Sequence, residues 1–481
     1  MSGPDTDTYD VVVIGGGPPG ENAADYATKG GMSAVLIERE LVGGECSYWA
    51  CIPSKALLRP VEVAAGARAL PGVPVGDRLD VAKVLARRDY FSGHDDSSQV
   101  KWAAGAGIGV IRGHARLAGV REVSVTVPDG GTRTLTARHA VVLATGTAAA
   151  VPPIPGLREA NPWTSRDVTN LHDVPDRIVV IGGGVVGCEA TVWLNGLGSA
   201  VTLAARDDRL LPRNEPFAGE LLADALLESG VDVRLGVDTS EVRRGAIEMS
   251  HEGRLRGAPV TVVIDGEEVH ADEVLIAAGR TPRSADLGLE VVGLDPGGYV
   301  ETDDTMLVKG VDGEWLYAVG DITRRALLTH MGKYQARVCG DVIAARAKGE
   351  PIDASRFRAT SDHGAVPQVT FTDPQVASVG LTEAKAREAG HDVRAVEYEI
   401  GQVSGAALLR EGYTGRAKLV VDTGTETILG ATFVGPDVGE LVHAATVALV
   451  GKVPLDTLWH AVPSFPTMSE VWLRLLETWR G

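Results

Sequence analysis

The chain has 481 residues, of which 44% are hydrophobic and 23% charged, and its formal net charge is −18 with a pI near 5.1. This length predicts about three domains with a substantial core, and the acidic balance argues against nucleic acid or an anionic membrane as a main partner. Because the sequence has no apolar run long enough for a membrane span and no secretory-signal pattern, we expect a cytoplasmic protein without a membrane partner.

A nucleotide-binding unit is predicted at the start of the chain. Residues 9–14 (YDVVVI) are typical of a buried parallel strand, and residues 15–20 (GGGPPG) form a Gly-x-Gly-x-x-Gly loop before a helical stretch over 21–29. Gly15, Gly17 and Gly20 would let backbone N–H groups approach a pyrophosphate at a helix N-terminus. A second strand, 33–37, ends at Glu38, whose carboxylate suits the free ribose diol of FAD.

A pair of cysteines follows this unit. Residues 43–55 (GGECSYWACIPSK) contain Cys46 and Cys51, two of the four cysteines in the chain. A disulfide in the cytosol is usually catalytic or redox-sensing, so the pair predicts electron transfer between a cofactor and sulfur. A helix N-terminus and a nearby lysine are expected to lower the pKa of the reactive cysteine. The bulky Tyr48 and Trp49 either line an apolar substrate pocket or pack against neighbouring helices.

The same design recurs 167 residues later. A strand over 137–143 and a proline-rich linker over 151–156 precede residues 177–187 (RIVVIGGGVVG), where a strand again leads into a glycine loop and a helix over 188–197. The loop glycines corresponding to the first set are Gly182, Gly184 and Gly187. The chain therefore carries two dinucleotide units.

The two units differ at the ribose position. At the offset of Glu38 the second unit has Ala205, and Arg206 follows it, with Arg209 and Arg213 nearby. A cationic patch at this place favours a 2′-phosphate, so NADPH is predicted over NADH.

Further along, a strand over 314–319 runs into Gly320 and Asp321, and a helix is predicted over 332–347. From about residue 355 the pattern changes to strands mixed with helices, which indicates a separate α+β domain.

These motifs together resemble the class I pyridine nucleotide-disulfide oxidoreductases, the family of dihydrolipoamide dehydrogenase, glutathione reductase and mercuric reductase. The resemblance lies in residues 43–55, both glycine loops, and residues 144–146 (ATG), 278–282 (AGRTP), 318–321 (AVGD) and 466–470 (PTMSE). It implies an α/β fold with two Rossmann-like domains and a C-terminal α+β dimerisation domain, hence a homodimer. The implied segments are 1–160 for FAD, 161–280 for NAD(P)H, 281–354 for the rest of the FAD domain, and 355–481 for dimerisation.

The resemblance also implies roles. Hydride would pass from NADPH to FAD, and electrons from FAD to the Cys46–Cys51 disulfide and then to an acceptor. Cys51 would be the sulfur next to the flavin, and Cys46 the interchange thiol that attacks substrate. Lys55 would lie near the flavin, paired with Glu189, and Asp321 would hold the ribityl chain. The remaining cofactor-binding candidates are Thr145, Gly146, Arg206, Arg280 and Gly320, with His330 as a candidate neighbour of the flavin ring.

The chain departs from the family at its C-terminal motif. In the family a histidine precedes Pro-Thr, serves as acid/base for thiol exchange and reaches the partner subunit's disulfide. Here Phe465 stands at that position, whereas Glu470 keeps the family's glutamate offset. Phenylalanine cannot transfer protons, and a positioned acid/base is worth on the order of 10²–10⁴ in rate. His460 would need a five-residue realignment to replace the histidine.

The acceptor therefore stays open between a small disulfide, a quinone and another small electrophile, and a redox-sensing flavoprotein with a partner protein is a further alternative. Mercuric reductase activity is disfavoured because no cysteine follows Cys339 in this sequence. Cys188 and Cys339 are expected to be buried structural thiols. No cysteine or histidine pair has zinc-ligand spacing, so no metal site is expected.

Overall fold

The computed structural model describes residues 7–481. The strands of these residues are, in chain order, β1 (Thr8–Ile14), β2 (Ala34–Glu38), β3 (Ile108–Arg112), β4 (His114–Gly119), β5 (Glu122–Thr126), β6 (Thr132–Leu143), β7 (Thr147–Ala149), β8 (Arg177–Ile181), β9 (Ala200–Ala205), β10 (Asp232–Leu235), β11 (Thr239–Arg244), β12 (Val260–Ile264), β13 (Glu267–Ala271), β14 (Glu273–Ile276), β15 (Arg280–Pro282), β16 (Leu316–Ala318), β17 (Gln368–Thr370), β18 (Gln375–Gly380), β19 (Val393–Glu399), β20 (Arg416–Asp422) and β21 (Thr427–Gly435).

The α-helices of the same residues connect these strands. They are α1 (Pro18–Lys29), α2 (Gly44–Tyr48), α3 (Cys51–Arg68), α4 (Val81–Ser92), α5 (Ser97–Gly105), α6 (Ser165–Thr169), α7 (Val185–Gly196), α8 (Pro216–Glu228), α9 (Thr329–Ala347), α10 (Glu383–Glu388), α11 (Ser404–Leu409), α12 (Leu441–Val450), α13 (Leu455–Leu458) and α14 (Glu470–Arg480). Within residues 7–481, none of the helices has the length and apolarity needed to cross a bilayer.

The chain divides into two compact units. The first comprises the described residues up to Ile52, together with Ser92–Ala148 and Arg280–Asp362. The second comprises Pro53–Phe91, Ala149–Gly279 and His363–Gly481.

The first unit is built on a seven-stranded sheet of order β3-β2-β1-β6-β5-β4, with β16 also paired to β6. Strands β1, β2, β3, β6 and β16 run parallel, and β4 and β5 add an antiparallel ribbon. Alternate residues of β1 face opposite layers: Val11 and Val13 pack with α1 and α9, whereas Val12 and Ile14 pack with the other side of the sheet. Burial on both faces explains why these parallel strands read as continuous apolar runs.

The second unit contains a parallel sheet and two antiparallel sheets. The parallel sheet has the order β10-β9-β8-β14, β11-β12-β13 form a three-stranded sheet, and the C-terminal sheet has the order β17-β18-β21-β20-β19. Helices α7 and α8 cover the parallel sheet, and α12 and α14 pack on the C-terminal sheet. The predicted fold class, two Rossmann-like units followed by an α+β domain, is confirmed.

Some predicted element boundaries differ from the structure. Strand β6 begins at Thr132 rather than 137, because its first residues pair antiparallel with β5. Strand β16 is shorter than predicted because only Leu316–Ala318 pair with β6. Helix α9 begins at Thr329 rather than near residue 332, after an extended residue, Leu328, at its N-cap. The earlier start of α9 brings Thr329 to the helix N-terminus.

Candidate active site

The first glycine loop is built for close approach of backbone to a ligand. A Cβ at Gly20 would lie 1.9 Å from the carbonyl oxygen of Gly15, and Gly15 itself has a φ of 105°. Helix α1 begins immediately after Gly17, and because Pro18 and Pro19 have no N–H group, the first backbone donor of the helix is the N–H of Gly20. This bare backbone at a helix N-terminus fits the pyrophosphate of FAD.

Glu38 lies at the edge of this loop, at the end of β2. Its Oε2 accepts a hydrogen bond from the N–H of Gly16 at 2.7 Å, and its Oε1 accepts one from the N–H of Glu40 at 2.8 Å. The carboxylate is therefore held beside the loop, at the place where a ribose diol is bound in dinucleotide units.

The second loop repeats this construction. A Cβ at Gly187 would lie 1.9 Å from the carbonyl oxygen of Gly182, which has a φ of 123°, and α7 begins after Gly184. The residue packed against the middle glycine is different, however. A Cβ at Gly183 would meet the Cβ of Ala205 at 2.8 Å. Ala205 thus occupies the place that Glu38 has in the first loop.

Arginines follow directly after Ala205. Arg206 is exposed, and the buried Nε of Arg209 has no hydrogen-bond partner within the described chain. Two exposed aspartates, Asp207 and Asp208, lie between them. The second loop therefore lacks the acid of the first and has cationic groups next to it.

A hydrogen-bonded network surrounds Asp321 in the first unit. The hydroxyl of Thr147 donates to Asp321 Oδ2 at 2.9 Å, and the guanidinium of Arg280 donates to the Thr147 hydroxyl and carbonyl oxygens at 2.9 and 3.0 Å. Burial raises the pKa of Asp321, although the hydrogen bond from Thr147 and the positive charge of Arg280 act to lower it. Gly320 is fixed beside it by donating its N–H to Gln335 at 3.0 Å.

Thr145 and Gly146 are tied to the segment after β15. The hydroxyl of Thr145 donates to the carbonyl oxygen of Arg283 at 2.8 Å, and the N–H of Arg283 donates to the Gly146 carbonyl at 3.0 Å. The first unit thus brings together five residues that the resemblance implied for cofactor binding: Thr145, Gly146, Arg280, Gly320 and Asp321. The donor and acceptor groups present fit a bound flavin dinucleotide.

The two cysteines lie at the junction of α2 and α3. Cys46 belongs to α2, Cys51 is the first residue of α3, and their thiols are hydrogen-bonded to each other. Both are free thiols, and the Cys51 Sγ lies 3.3 Å from the Thr329 Oγ1. The two sulfurs are therefore close enough to act as one redox couple.

The surroundings of Cys46 disfavour its thiolate. Its hydrogen bond with Cys51 and its burial raise the pKa of the Cys46 thiol, because both disfavour the thiolate. The Thr329 hydroxyl and the positive charge of Lys333 act in the other direction and lower this pKa. The lysine that acts on Cys46 is thus one that sequence reasoning did not single out.

Tyr48 and Trp49 pack inside the protein. They are 3% and 7% exposed, their rings lie 5.7 Å apart, and His94 contacts both at 6.2 and 5.2 Å between ring centroids. The Tyr48 hydroxyl donates to the carbonyl oxygen of Val42 at 3.1 Å. The packing alternative therefore accounts for both side chains, and they stiffen the segment between the cysteines.

Lys55 and Glu189 meet in the second unit. The Lys55 Nζ lies 2.7 Å from Glu189 Oε2, and the other carboxylate oxygen accepts the N–H of Phe371 at 2.9 Å. The Lys55 ammonium also lies 4.7 Å from the centroid of the Phe371 ring. Phe371, in the turn between β17 and β18, is a contact that no local sequence signal could reveal.

The C-terminal motif presents an apolar side chain where the family has histidine. Phe465 is 74% exposed, and His460 is also exposed. Glu470 is buried at the start of α14, with its Oε1 2.6 Å from Arg474. Its buried Oε2 has no hydrogen-bond partner within residues 7–481.

The other two cysteines are fully buried. Cys188 donates weakly to the Gly183 carbonyl oxygen at 3.4 Å, and Cys339 lies in the core between α9 and the sheet. Burial raises the pKa of both thiols, which makes them unreactive.

Comparison with known proteins identifies the family. Residues 9–339 match the pyridine nucleotide-disulphide oxidoreductase family, and residues 366–475 match its dimerisation domain. The mercuric reductase of Streptomyces lividans is 34% identical over 471 residues, covering 96% of this chain and 94% of that protein. The dihydrolipoyl dehydrogenase of Chlorobaculum tepidum is 32% identical over 471 residues, covering 96% and 95%.

Solved structures agree with this assignment. The Cu(II) complex of the HOCl-induced flavoprotein disulfide reductase RclA from Escherichia coli superposes with a TM-score of 0.83 at 25% identity, covering 98% of this chain and 99% of that one. LpdA from Mycobacterium tuberculosis gives a TM-score of 0.81 at 25% identity, covering 97% and 99%.

The chain belongs to the pyridine nucleotide-disulphide oxidoreductase family. It is an oxidoreductase that uses FAD and a pyridine nucleotide and acts through a redox-active cysteine pair, and its dimerisation domain supports a homodimer. Mercuric reductases and dihydrolipoyl dehydrogenases are similar to it to the same degree, so the family by itself leaves the acceptor open.

Proposed function

We propose that this protein is an NADPH-dependent reductase of a small disulfide, with Cys46 and Cys51 as the redox pair. The observation that carries the proposal is the contact between the two thiols at the junction of α2 and α3, with the Thr329 hydroxyl 3.3 Å from the Cys51 sulfur. Two thiols in contact are close enough for their sulfurs to form a disulfide.

In this proposal the two sulfurs have different tasks. FAD, when bound, takes a hydride from the pyridine nucleotide and supplies two electrons to the disulfide. Cys51 is the sulfur on the flavin side. Cys46, as thiolate, attacks one sulfur of the substrate disulfide and expels the first substrate thiolate, which takes up a proton. Cys51 then attacks the Cys46 sulfur and expels the second substrate thiolate, which also takes up a proton. Two electrons and two protons therefore leave the protein in two substrate thiols.

Lys55 and Glu189 are proposed to act on the cofactor side of the reaction. The buried Glu189 is fixed by Lys55 and by the N–H of Phe371, so the Lys55 ammonium is held in one position. A fixed positive charge favours the reduced, electron-rich form of a nearby flavin.

The preference for NADPH over NADH rests on the second loop. Ala205 cannot accept hydrogen bonds from a ribose diol, and the Arg209 Nε is buried without a partner in the described chain. The Arg209 side chain and the exposed Arg206 together would form a site for a 2′-phosphate. Asp207 and Asp208 oppose this charge, so NADH is the alternative coenzyme.

Direct reduction of quinones is the second candidate function, and a specific observation favours it. The position of the family's histidine is taken by Phe465, which is 74% exposed, and the buried Glu470 has an unpartnered oxygen within residues 7–481. An apolar ring suits a flat hydrophobic acceptor, for which thiol exchange and its acid/base catalyst are unnecessary.

Serine variants of the two cysteines separate these functions. Lipoamide serves as the small disulfide in this test, because dihydrolipoyl dehydrogenases are among the relatives. In the FAD-loaded enzyme, Cys46→Ser is expected to abolish NADPH-dependent reduction of lipoamide, while NADPH still reduces the flavin. Quinone reduction that survives in both Cys46→Ser and Cys51→Ser, in an enzyme that never reduces lipoamide, would overturn the disulfide assignment in favour of the second candidate.

A further inference from the structure

The dithiol of Cys46 and Cys51 lies in surroundings that oppose its ionisation. Burial and the neighbouring sulfur both raise the pKa of the Cys46 thiol. Thiol exchange needs the thiolate, so some group must stabilise negative charge at this sulfur. In the family that help comes from a histidine at the position of Phe465, which cannot provide it.

Two side chains of α9 lower the pKa of the Cys46 thiol and so favour its thiolate. The Thr329 hydroxyl forms hydrogen bonds with the Cys46 thiol and lies 3.3 Å from the Cys51 Sγ, so one hydroxyl contacts both sulfurs. The positive charge of Lys333 lowers the pKa of Cys46 from the same helix.

The position of these side chains follows from the helix. Thr329 is the first residue of α9, where the helix dipole is positive, and Lys333 is four residues later, on the same face one turn along. Helix α9 is held against α1, where a Cβ at Gly340 would lie 2.6 Å from the Cβ of Tyr26. The buried Gln335 further ties α9 to Gly320. The helix therefore presents both groups from a fixed support.

Lys333 also acts on a buried carboxyl. Glu21, in the first turn of α1, has a buried Oε1 without a partner in the described chain, and burial raises its pKa to about 7, which the charge of Lys333 opposes. Lys333 is thus a cation shared between the dithiol and a carboxyl, and both belong to the first unit.

We propose that Thr329 and Lys333 stabilise the Cys46 thiolate in the reduced enzyme, and so take over within one protomer the electrostatic part of the role that the family's histidine has across the dimer. The proton of Cys46 then leaves to solvent, and no protein base is needed for the first attack. This inference rests on the proposed disulfide-reducing function and names two positioning residues for it.

Alkylation of the reduced holoenzyme tests the inference without any acceptor. The FAD-loaded protein is reduced anaerobically with tris(2-carboxyethyl)phosphine and treated with iodoacetamide at pH 7.5, and the modification of Cys46 is followed by peptide mass spectrometry. Lys333→Met and Thr329→Val are each expected to slow this reaction about tenfold, since an opposite charge or a hydrogen bond changes a pKa by about one unit or more. Lys333→Arg and Thr329→Ser should react at close to the wild-type rate.

Lys348→Met is the matched control, because Lys348 is an exposed lysine at the other end of α9. An unchanged rate of Cys46 alkylation in Lys333→Met and Thr329→Val would overturn the inference. So would a rate in Lys333→Arg and Thr329→Ser that falls as much as in Lys333→Met and Thr329→Val. If Lys333→Met fails to retain FAD, the comparison of Thr329→Val with Thr329→Ser decides alone. An enzyme with the predicted alkylation pattern but no lipoamide reduction would refute the proposed function and leave this inference standing.

Discussion

The Nζ of Lys55 lies 2.7 Å from the Oε2 of Glu189, in an ion pair whose carboxylate is 5% exposed and whose lysine is 36% exposed. The carboxylate is the more buried partner, so it depends on the lysine for its charge compensation more than the lysine depends on it.

This asymmetry predicts different stabilities for two variants. Lys55→Met leaves a buried carboxylate with only the Phe371 N–H, and should destabilise the protein by about 2 kcal/mol. Glu189→Gln keeps an oxygen for that N–H and should cost less. Thermal unfolding of both variants shows which of them is less stable. Lys29→Met, which breaks an exposed pair with Asp25, is the control and should change stability by less than about 1 kcal/mol. A larger loss in Glu189→Gln than in Lys55→Met would contradict the argument.

The coenzyme preference is predicted to follow Ala205 and Arg206. The double variant Ala205→Glu, Arg206→Ala gives the second loop the acid that Glu38 gives the first and removes a cation. We expect the ratio of kcat/KM for NADPH to that for NADH to fall at least about tenfold, since one charge-assisted contact is worth about 1.5–3 kcal/mol. Steady-state kinetics with both coenzymes measure the ratio. Arg78→Ala removes an exposed arginine outside the second loop and should leave the ratio unchanged. Wild-type enzyme that is equally efficient with NADH would refute the NADPH assignment.

Glu21 is predicted to make stability depend on pH. Burial raises its pKa from 4.5 to about 7, so between these values the folded protein binds a proton that the unfolded chain has released. The contribution of Glu21 is fully present below pH 4.5 and is lost as the pH rises through 7, on the order of 3 kcal/mol at most.

Glu21→Gln should therefore raise the melting temperature of the FAD-free protein at pH 8 and have little effect at pH 4.5, as scanning calorimetry would show. Glu122→Gln, at an exposed glutamate, is the matched control. A variant that is stabilised equally at both pH values would show that the carboxyl does not titrate in this range.

Restoring the family's histidine is predicted to increase thiol exchange. Phe465→His places an acid/base at the family's position, so lipoamide reduction should rise by at least about tenfold, given that such groups contribute on the order of 10²–10⁴. Quinone reduction by the same variant should not rise. Val462→His introduces the same side chain at a neighbouring position that is 84% exposed, and should have no effect on either reaction. Unchanged lipoamide turnover in Phe465→His would mean that proton transfer does not limit the reaction.

Much of the fold and part of the site could be predicted from local sequence patterns. The strand–glycine loop–helix units were recognisable because their spacing is dictated by the backbone, as the matching 1.9 Å approaches at Gly20 and Gly187 show. The pairing of Lys55 with Glu189 came from the family resemblance, and the structure places the two side chains in contact.

Other contacts were beyond sequence reasoning because they join distant segments. Thr329 reaches the cysteine pair from 278 residues away in the sequence, at the start of α9, and Lys333 acts on Cys46 from the same helix. Phe371 and His94 likewise lack any local signal. The raised pKa of Cys46 also has no local signal, because it comes from the neighbouring Cys51 sulfur and from burial, which a motif does not reveal.

The most direct test of the account is the number of electrons that the enzyme takes up. Anaerobic titration of the FAD-loaded protein with dithionite, followed by visible absorbance, should require about four electrons per subunit, two for FAD and two for the Cys46–Cys51 disulfide. Cys46→Ser and Cys51→Ser should each require about two. Uptake of two electrons by the wild-type enzyme, equal to that of the serine variants, would contradict the claim that this cysteine pair carries the electrons.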